Sequence, residues 1–253
     1  SSHIIFNKKI CYKYYICCRI YCDSSRFKYF FFFFNLLLIL PMLEPRHENM
    51  VQACLQSLYD KGELYSADYS GWYSTQAERF WTESELVQGR CPDSGGPVEW
   101  VTEKNWFFRM SFYQDRLKAY ILENPQCIQP DSRRNEVLGF LAKPINDLCI
   151  SRPRARLPWG IPLPWDDSHV TYVWFDALAN YITAHGYGTD DARFAERWPV
   201  DYHFIGKDII RFHCVYWPAM LMSAGIEPPK GWAVGGWLLT DGAKMSKTAG
   251  NVV

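Results

Sequence analysis

The chain has 253 residues, with 27 Lys and Arg against 27 Asp and Glu, so no field from the whole molecule draws it to a polyanion and any RNA contact has to come from local patches. That length allows one large domain or two smaller ones, and near-zero net charge favours poor solubility. Of nine cysteines, Cys11, Cys17, Cys18 and Cys22 crowd one stretch while others such as Cys54 and Cys149 lie scattered among apolar residues; this reads as reduced thiols and not as a disulfide framework.

Residues 1–43 differ from all that follows, being rich in Ile, Tyr, Cys, Lys and Phe and ending in the apolar run Tyr29 to Leu40. The run is too short to span a bilayer, and the basic residues before it (Lys8, Lys9, Lys13, Arg19, Arg26, Lys28) are not followed by a small-residue cleavage site. Two readings stand: a targeting peptide, or low-complexity sequence from a wrongly joined exon or a frameshift, which Phe30 to Phe34 favours. Either way this leader is expected to be poorly ordered.

After Pro41 the pattern becomes globular. Val51, Cys54, Leu55, Leu58 and Tyr59 fall on one helical face before a stop at Gly62. Turn-rich sequence follows through Gly71 and from Gly89 to Pro97; aromatic Trp106 to Phe108 then lead into helical patterns around Leu117, Tyr120, Ile121 and around Val137, Phe140, Leu141. Prolines and arginines from Arg152 to Pro164 mark an extended connector and place a domain boundary at 151/152. Beyond it, the predicted strands are Val170 to Phe175, His203 to Ile205 and Trp232 to Leu239. Between them lie helical patterns through Leu178, Tyr181, Ile182 and through Ile209, Phe212, Tyr216. A β-α-β-α-β alternation predicts a parallel sheet with ligands at the carboxyl ends of its strands. The site candidates by position are then Asp176, Gly206, Lys207, Asp208 and the loop from Thr240 onward.

That loop, Asp241 to Val253, carries Lys244, Ser246 and Lys247 between glycines directly after a strand. Two ammonium groups on a flexible loop suit a polyphosphate, with backbone donors and Ser246 completing a cradle. Taken alone, two lysines are more often a solvated turn.

The run Lys-Met-Ser-Lys-Thr followed by Gly-Asn-Val resembles the KMSKS loop of class I aminoacyl-tRNA synthetases, with Thr248 in place of the last serine. Tyr172 to Ala177, His203 to Ile209, Phe212-His213 and Trp217 to Met220 resemble the methionyl family in particular. So do Glu44 to His47, Leu58 to Gly62, Gly71 to Tyr73 and Trp100 to Asn105. The resemblance spans roughly residues 44–253. It implies an α/β fold, the second half of a Rossmann-like parallel sheet (152–253) with an inserted α+β connective domain (44–151). The leucyl, valyl and isoleucyl relatives have similar blocks, but no editing insertion is evident here.

Carried onto matching positions, the resemblance implies a methionine pocket of Trp174, Ala177, Tyr181, Ile209 and His213, with Leu178 where a proline is often found. Without the flanking motifs these aromatics would read as ordinary core. It implies ATP contacts from Gly206, Asp208, Lys244, Ser246 and Lys247, with Lys247 and Lys244 as the catalytic pair and Mg2+ accompanying ATP. Asp208 equally suits a helix N-cap. The implied partners are methionine, ATP and tRNA(Met), with no membrane and with cytoplasm as the default compartment, mitochondrion as the alternative. None of the six histidines is followed by Gly-His at the spacing of the family's HIGH motif, and the helical anticodon-binding region expected after the lysine loop is not present. The chain by itself is therefore expected to be an inactive fragment; the alternative is a nucleotide- or tRNA-binding relic. Gly235 stands where a histidine is often found. The four positions that hold zinc in many relatives are Ser74, Ala77, Cys91 and Ser94; one thiolate cannot retain the ion, so no structural zinc is expected.

Overall fold

The computed structural model describes residues 44–76, 79–92, 94–236, 239–240 and 243–244, with only the backbone at 79, 239, 243 and 244. The leader, Ala77, Ser246 and Lys247 thus lie outside the described residues.

Helix α1 (Pro45–Asp60) opens with Pro45 in its first turn, where a fixed φ and a missing N–H are tolerated. Its buried face is His47, Met50, Val51, Leu55 and Leu58, at the spacing of one helical side. The chain leaves it through Gly62 at φ +72, a left-handed conformation that glycine adopts without a Cβ clash.

The segment read from its glycines as turn-rich is largely strand. β1 (Leu64–Ser74) runs through Gly71 and pairs antiparallel with β3 (Glu99–Phe108) over ten residue pairs, Leu64↔Phe108 to Tyr73↔Glu99. With β2 (Arg79–Trp81) and β5 (Leu148–Cys149) they form a sheet of order β2-β1-β3-β5. A Cβ at Gly71 would meet Phe80 Cδ1 at 3.2 Å. The glycine is there because the Phe80 ring, packed edge-on to Tyr69 and Tyr73, lies across it.

Helices α2 (Gln114–Glu123) and α3 (Asp131–Leu141) flank β4 (Ile128–Gln129). A short antiparallel sheet, β6-β8-β7, consists of β6 (Ser151–Pro153), β7 (Pro162–Leu163) and β8 (Asp166–Thr171). Helix α4 (Val173–Ala184) follows at once, then α5 (Asp191–Arg197), β9 (His203–Gly206), a 3-10 turn Lys207–Ile209, a π turn Phe212–Tyr216, α6 (Trp217–Ala224) and β10 (Trp232–Gly235). A hairpin of β11 (Leu239–Thr240) and β12 (Ala243–Lys244) closes the described chain.

Two expectations are corrected here. The strand predicted over Val170 to Phe175 ends at Thr171, and Val173 to Phe175 are the first turn of α4. Aromatic and β-branched residues favour strand locally, but burying Phe175, Leu178, Ala179 and Ile182 on one helical side of the core wins. That strand is also antiparallel, so the parallel sheet has the order β4-β10-β9. Its third member is Ile128–Gln129, paired with Trp232 and Ala233, from the segment that the resemblance assigns to the connective domain. Trp232 N–H donates to Cys127 O at 2.6 Å and Tyr120 OH to Pro229 O at 3.1 Å. The stretches on either side of 151/152 thus share one sheet through β4, a two-residue strand that carries too little periodicity to be seen in sequence.

One apolar cluster runs from Val51 and Leu55 of α1 through Phe108, Ile121, Ile128 and Leu178 to Leu221 and Trp232. It fixes the floor on which the candidate site stands. No described helix is long and apolar enough to cross a membrane.

Candidate functional site at the ends of the parallel strands

β9 and β10 run side by side and finish together, Gly206 opposite Gly235. Two facing glycines at the carboxyl ends of parallel strands leave a strip of backbone free of side chains, where a ligand can approach closely. From Gly206 the chain turns through Lys207, the exposed Asp208 and Ile209 into the π turn. From Gly235 it passes to the β11–β12 hairpin that carries Lys244 in its backbone ladder. The two site segments are thus neighbours because their strands are neighbours.

The π turn holds His213 against α4. His213 Nδ1 donates to Ile209 O at 3.0 Å, and Tyr181 OH lies 3.0 Å from His213 Nε2. A carbonyl only accepts, so Nδ1 carries the ring proton and Nε2 accepts from the Tyr181 phenol. His213 is 2% exposed, and burial lowers its pKa to about 4 against a weaker opposing effect from the Ile209 carbonyl. The ring is consequently neutral across the physiological range. Tyr181 also stands edge-on to His203, with ring centroids 4.3 Å apart. Trp174, one helical side with Tyr181, stacks on Phe212 at 3.7 Å and meets His213 edge-on at 6.4 Å.

Trp174, Tyr181, Ile209 and His213 lie together, and Ala177 lies on the Trp174 side of α4 at i+3 spacing. Gly206 and Asp208 sit at the end of the adjoining strand. Asp176 does not join them: it lies within α4, and its carboxylate faces α1, with Oδ1 2.6 Å from His47 Nε2. Phe212 and His203 were not singled out as site residues. The first was read only as part of the helical pattern through Ile209, Phe212 and Tyr216, which a π turn interrupts, while the second could have been found as a polar residue opening a predicted strand. An apolar cavity lined by Cys54, Phe175, Ala179, Trp217 and Met220 lies under another face of α4, and burial pushes the pKa of its thiol, Cys54, up to about 11.

Of the four positions assigned to zinc by the resemblance, Ser74, Cys91 and Ser94 lie among the described residues and Ala77 does not. Cys91 and Ser74 are buried, and the turn after Cys91 is closed by backbone bonds, Cys91 N–H to Gly96 O at 3.0 Å and Gly95 N–H to Cys91 O at 2.8 Å. Among the described residues no group of three or more His, Cys, Asp or Glu could hold a metal ion. The long β1–β3 ladder and its aromatic pairs, Trp72 on Trp100 and Tyr73 on Phe80, supply cohesion that does not involve a metal. A chelator such as EDTA is expected to leave the thermal unfolding midpoint unchanged within about a degree, where loss of a structural zinc would remove most of the folding energy of such a module.

Three comparisons bear on this arrangement. The family described as tRNA synthetases class I (M) matches residues 42–253. Methionine–tRNA ligases of Caldanaerobacter subterraneus subsp. tengcongensis and Clostridium tetani are 52% and 54% identical over 82% of this chain, which covers 32% of each relative. The chain is also similar to the solved structure of Mycobacterium tuberculosis methionyl-tRNA synthetase bound by methionyl-adenylate, with TM-score 0.74 and 46% identity over 83% of this chain and 42% of that one. The chain spans about a third of the length of the curated relatives it matches. With its parallel strands ending on paired glycines and its lysine-bearing loop beyond them, this chain belongs to the methionyl family of class I tRNA synthetases.

Proposed function

We propose that this chain forms the methionine pocket and one side of the ATP site of a methionine–tRNA ligase. The observation that carries the reading is the linked set Ile209 O, His213 and Tyr181, walled by Trp174 on Phe212, beside the glycine ends of β9 and β10. Because the ring proton of His213 and the phenol proton of Tyr181 are both spent inside this set, the walls offer aromatic faces and soft contacts, which suit a thioether. Trp174, Ala177, Tyr181, Ile209 and His213 would enclose the methionine side chain. Gly206 would let the nucleotide approach, and Asp208 would accept from its ribose hydroxyls.

The reaction is attack of a methionine carboxylate oxygen on the α-phosphorus of ATP, forming a mixed anhydride and releasing pyrophosphate, with later transfer of the methionyl group to tRNA(Met). No covalent bond to the protein forms. Positioning at the strand ends and neutralisation of charge on the leaving pyrophosphate by Lys247 and Lys244, with Ser246 assisting, supply the acceleration; Mg2+ accompanies ATP and adds further neutralisation.

Methionine-dependent exchange of pyrophosphate into ATP tests the reading. It is to be measured on this chain and on a form joined to the remaining catalytic part of a close relative, with leucine, valine and isoleucine as controls. Exchange with methionine alone in the joined form is expected. Absence of exchange there, or equal exchange with leucine, would overturn it.

A further inference from the structure

We propose that His47 is a positioning residue for the methionine site, gripping α4 from the side opposite the pocket and setting the rotation at which Trp174, Ala177 and Tyr181 meet the His213 turn. The inference rests on the proposed methionine site; the grip itself rests on geometry. His47 is fully buried in the first turn of α1. Its Nδ1 lies 2.9 Å from Thr183 Oγ1 and its Nε2 2.6 Å from Asp176 Oδ1, so both ring nitrogens are committed to α4. Thr183 Oγ1 donates in turn to Ala179 O at 3.2 Å, tying the contact into the helix backbone.

Helical geometry gives the contact its meaning. At about 100° per residue, Asp176 and Thr183 fall within about 20° of each other around α4 and close to 180–200° from Trp174, whereas Ala177 and Tyr181 fall on the Trp174 side. The two anchor points are seven residues apart, about two turns. A rigid ring bonded to both fixes the rotation of the helix and its position along the axis together. The surrounding contacts of Phe175, Ala179 and Ile182 are apolar and non-directional, so they bury the helix without specifying that rotation. Asp176 lies two residues from Trp174 and next to Ala177, at the end of α4 that carries the pocket. A carboxylate there also suits the positive end of the helix dipole.

Two substitutions separate the bonds. Gln at 47 places its amide nitrogen near the position of Nε2 and keeps the Asp176 contact; Asn places it near Nδ1 and keeps the Thr183 contact. Equilibrium dialysis of labelled methionine against the 253-residue chain is to be compared for wild type, His47→Asn and His47→Gln, each with its thermal midpoint. We expect His47→Asn to bind methionine about tenfold more weakly and His47→Gln within about threefold of wild type, with similar midpoints. Equal affinity in both variants, or losses that merely follow the midpoints, would overturn the proposal. Should the wild type bind no methionine, the proposed site falls and the grip is read from amide hydrogen exchange in α4. Faster exchange there in His47→Asn than in His47→Gln, with α6 unchanged, supports it; equal rates refute it. If His47→Asn does not fold, Asp176→Ala replaces it in both measurements.

Discussion

Acidification from pH 7 to about 4 is expected to weaken folding by about 3 kcal/mol through His213 alone, the free energy equivalent of the gap between its unfolded value and its folded one. Burial lowers the ring from 6.5 to about 4. As pH falls through 6.5 the unfolded chain takes up a proton that the native state refuses, so stability declines across that window and levels off below about 4. His203 acts in the same direction, since burial first and then its His213 neighbour lower it well below the ordinary histidine range. Carboxyls add to the loss: burial opposes ionisation of Asp166, yet bonds from Ser168 and Trp106 prevail and hold it below its usual range. The clean measurement is therefore a difference. Urea unfolding of wild type and His213→Gln at pH 7 and pH 4.5 should show a markedly shallower acid loss in the variant; equal losses would mean that the ring is not held neutral by the fold. Since the same ring is neutral from about pH 5 to 8, methionine affinity should be flat there.

The residues of the candidate site were easier to single out in the sequence than the sheet beneath them, and the reason is physical. Trp174, Tyr181 and His213 were identified through their resemblance to blocks of the family, and contacts such as Tyr181 to His213 are what such blocks encode. The strands at 203 and 232 were found because buried apolar side chains, Ile205 in one and Trp232 and Val234 in the other, sit in short apolar runs bounded by turn residues. Ile128–Gln129 leaves none, so a sheet member 75 positions before His203 went unseen. Val173 to Phe175 misled because an amphipathic helix that begins with Val, Trp and Phe looks locally like a strand, and only the burial of Phe175 with Leu178 and Ile182 distinguishes it. Asp176 misled for the same reason. Placed after a strand it would face a ligand; placed within α4 it faces His47.

Lys247→Ala is expected to lower the rate of methionine-dependent pyrophosphate exchange by about 100- to 1000-fold, the usual cost of removing one donor aimed at charge that develops in the transition state. The argument is one of reach. β10 ends at Gly235 opposite Gly206, and β12 carries the Lys244 backbone, three residues before Lys247. Three Cα steps separate Lys247 from Lys244, and the proposed function has this loop meet phosphates bound beside the paired glycines. The proposed methionine pocket of Trp174, Tyr181 and His213 lies on other elements, so the methionine KM should change little while kcat falls, the signature of an interaction made mainly in the transition state. Lys247→Arg should retain part of the rate because charge is kept although the point-like ammonium is lost. Lys244→Ala should cost less than Lys247→Ala. The assay is pyrophosphate exchange by the form joined to the rest of the catalytic half. A Lys247→Ala rate within a few-fold of wild type, or a fall explained wholly by methionine KM, would remove this lysine from the chemistry.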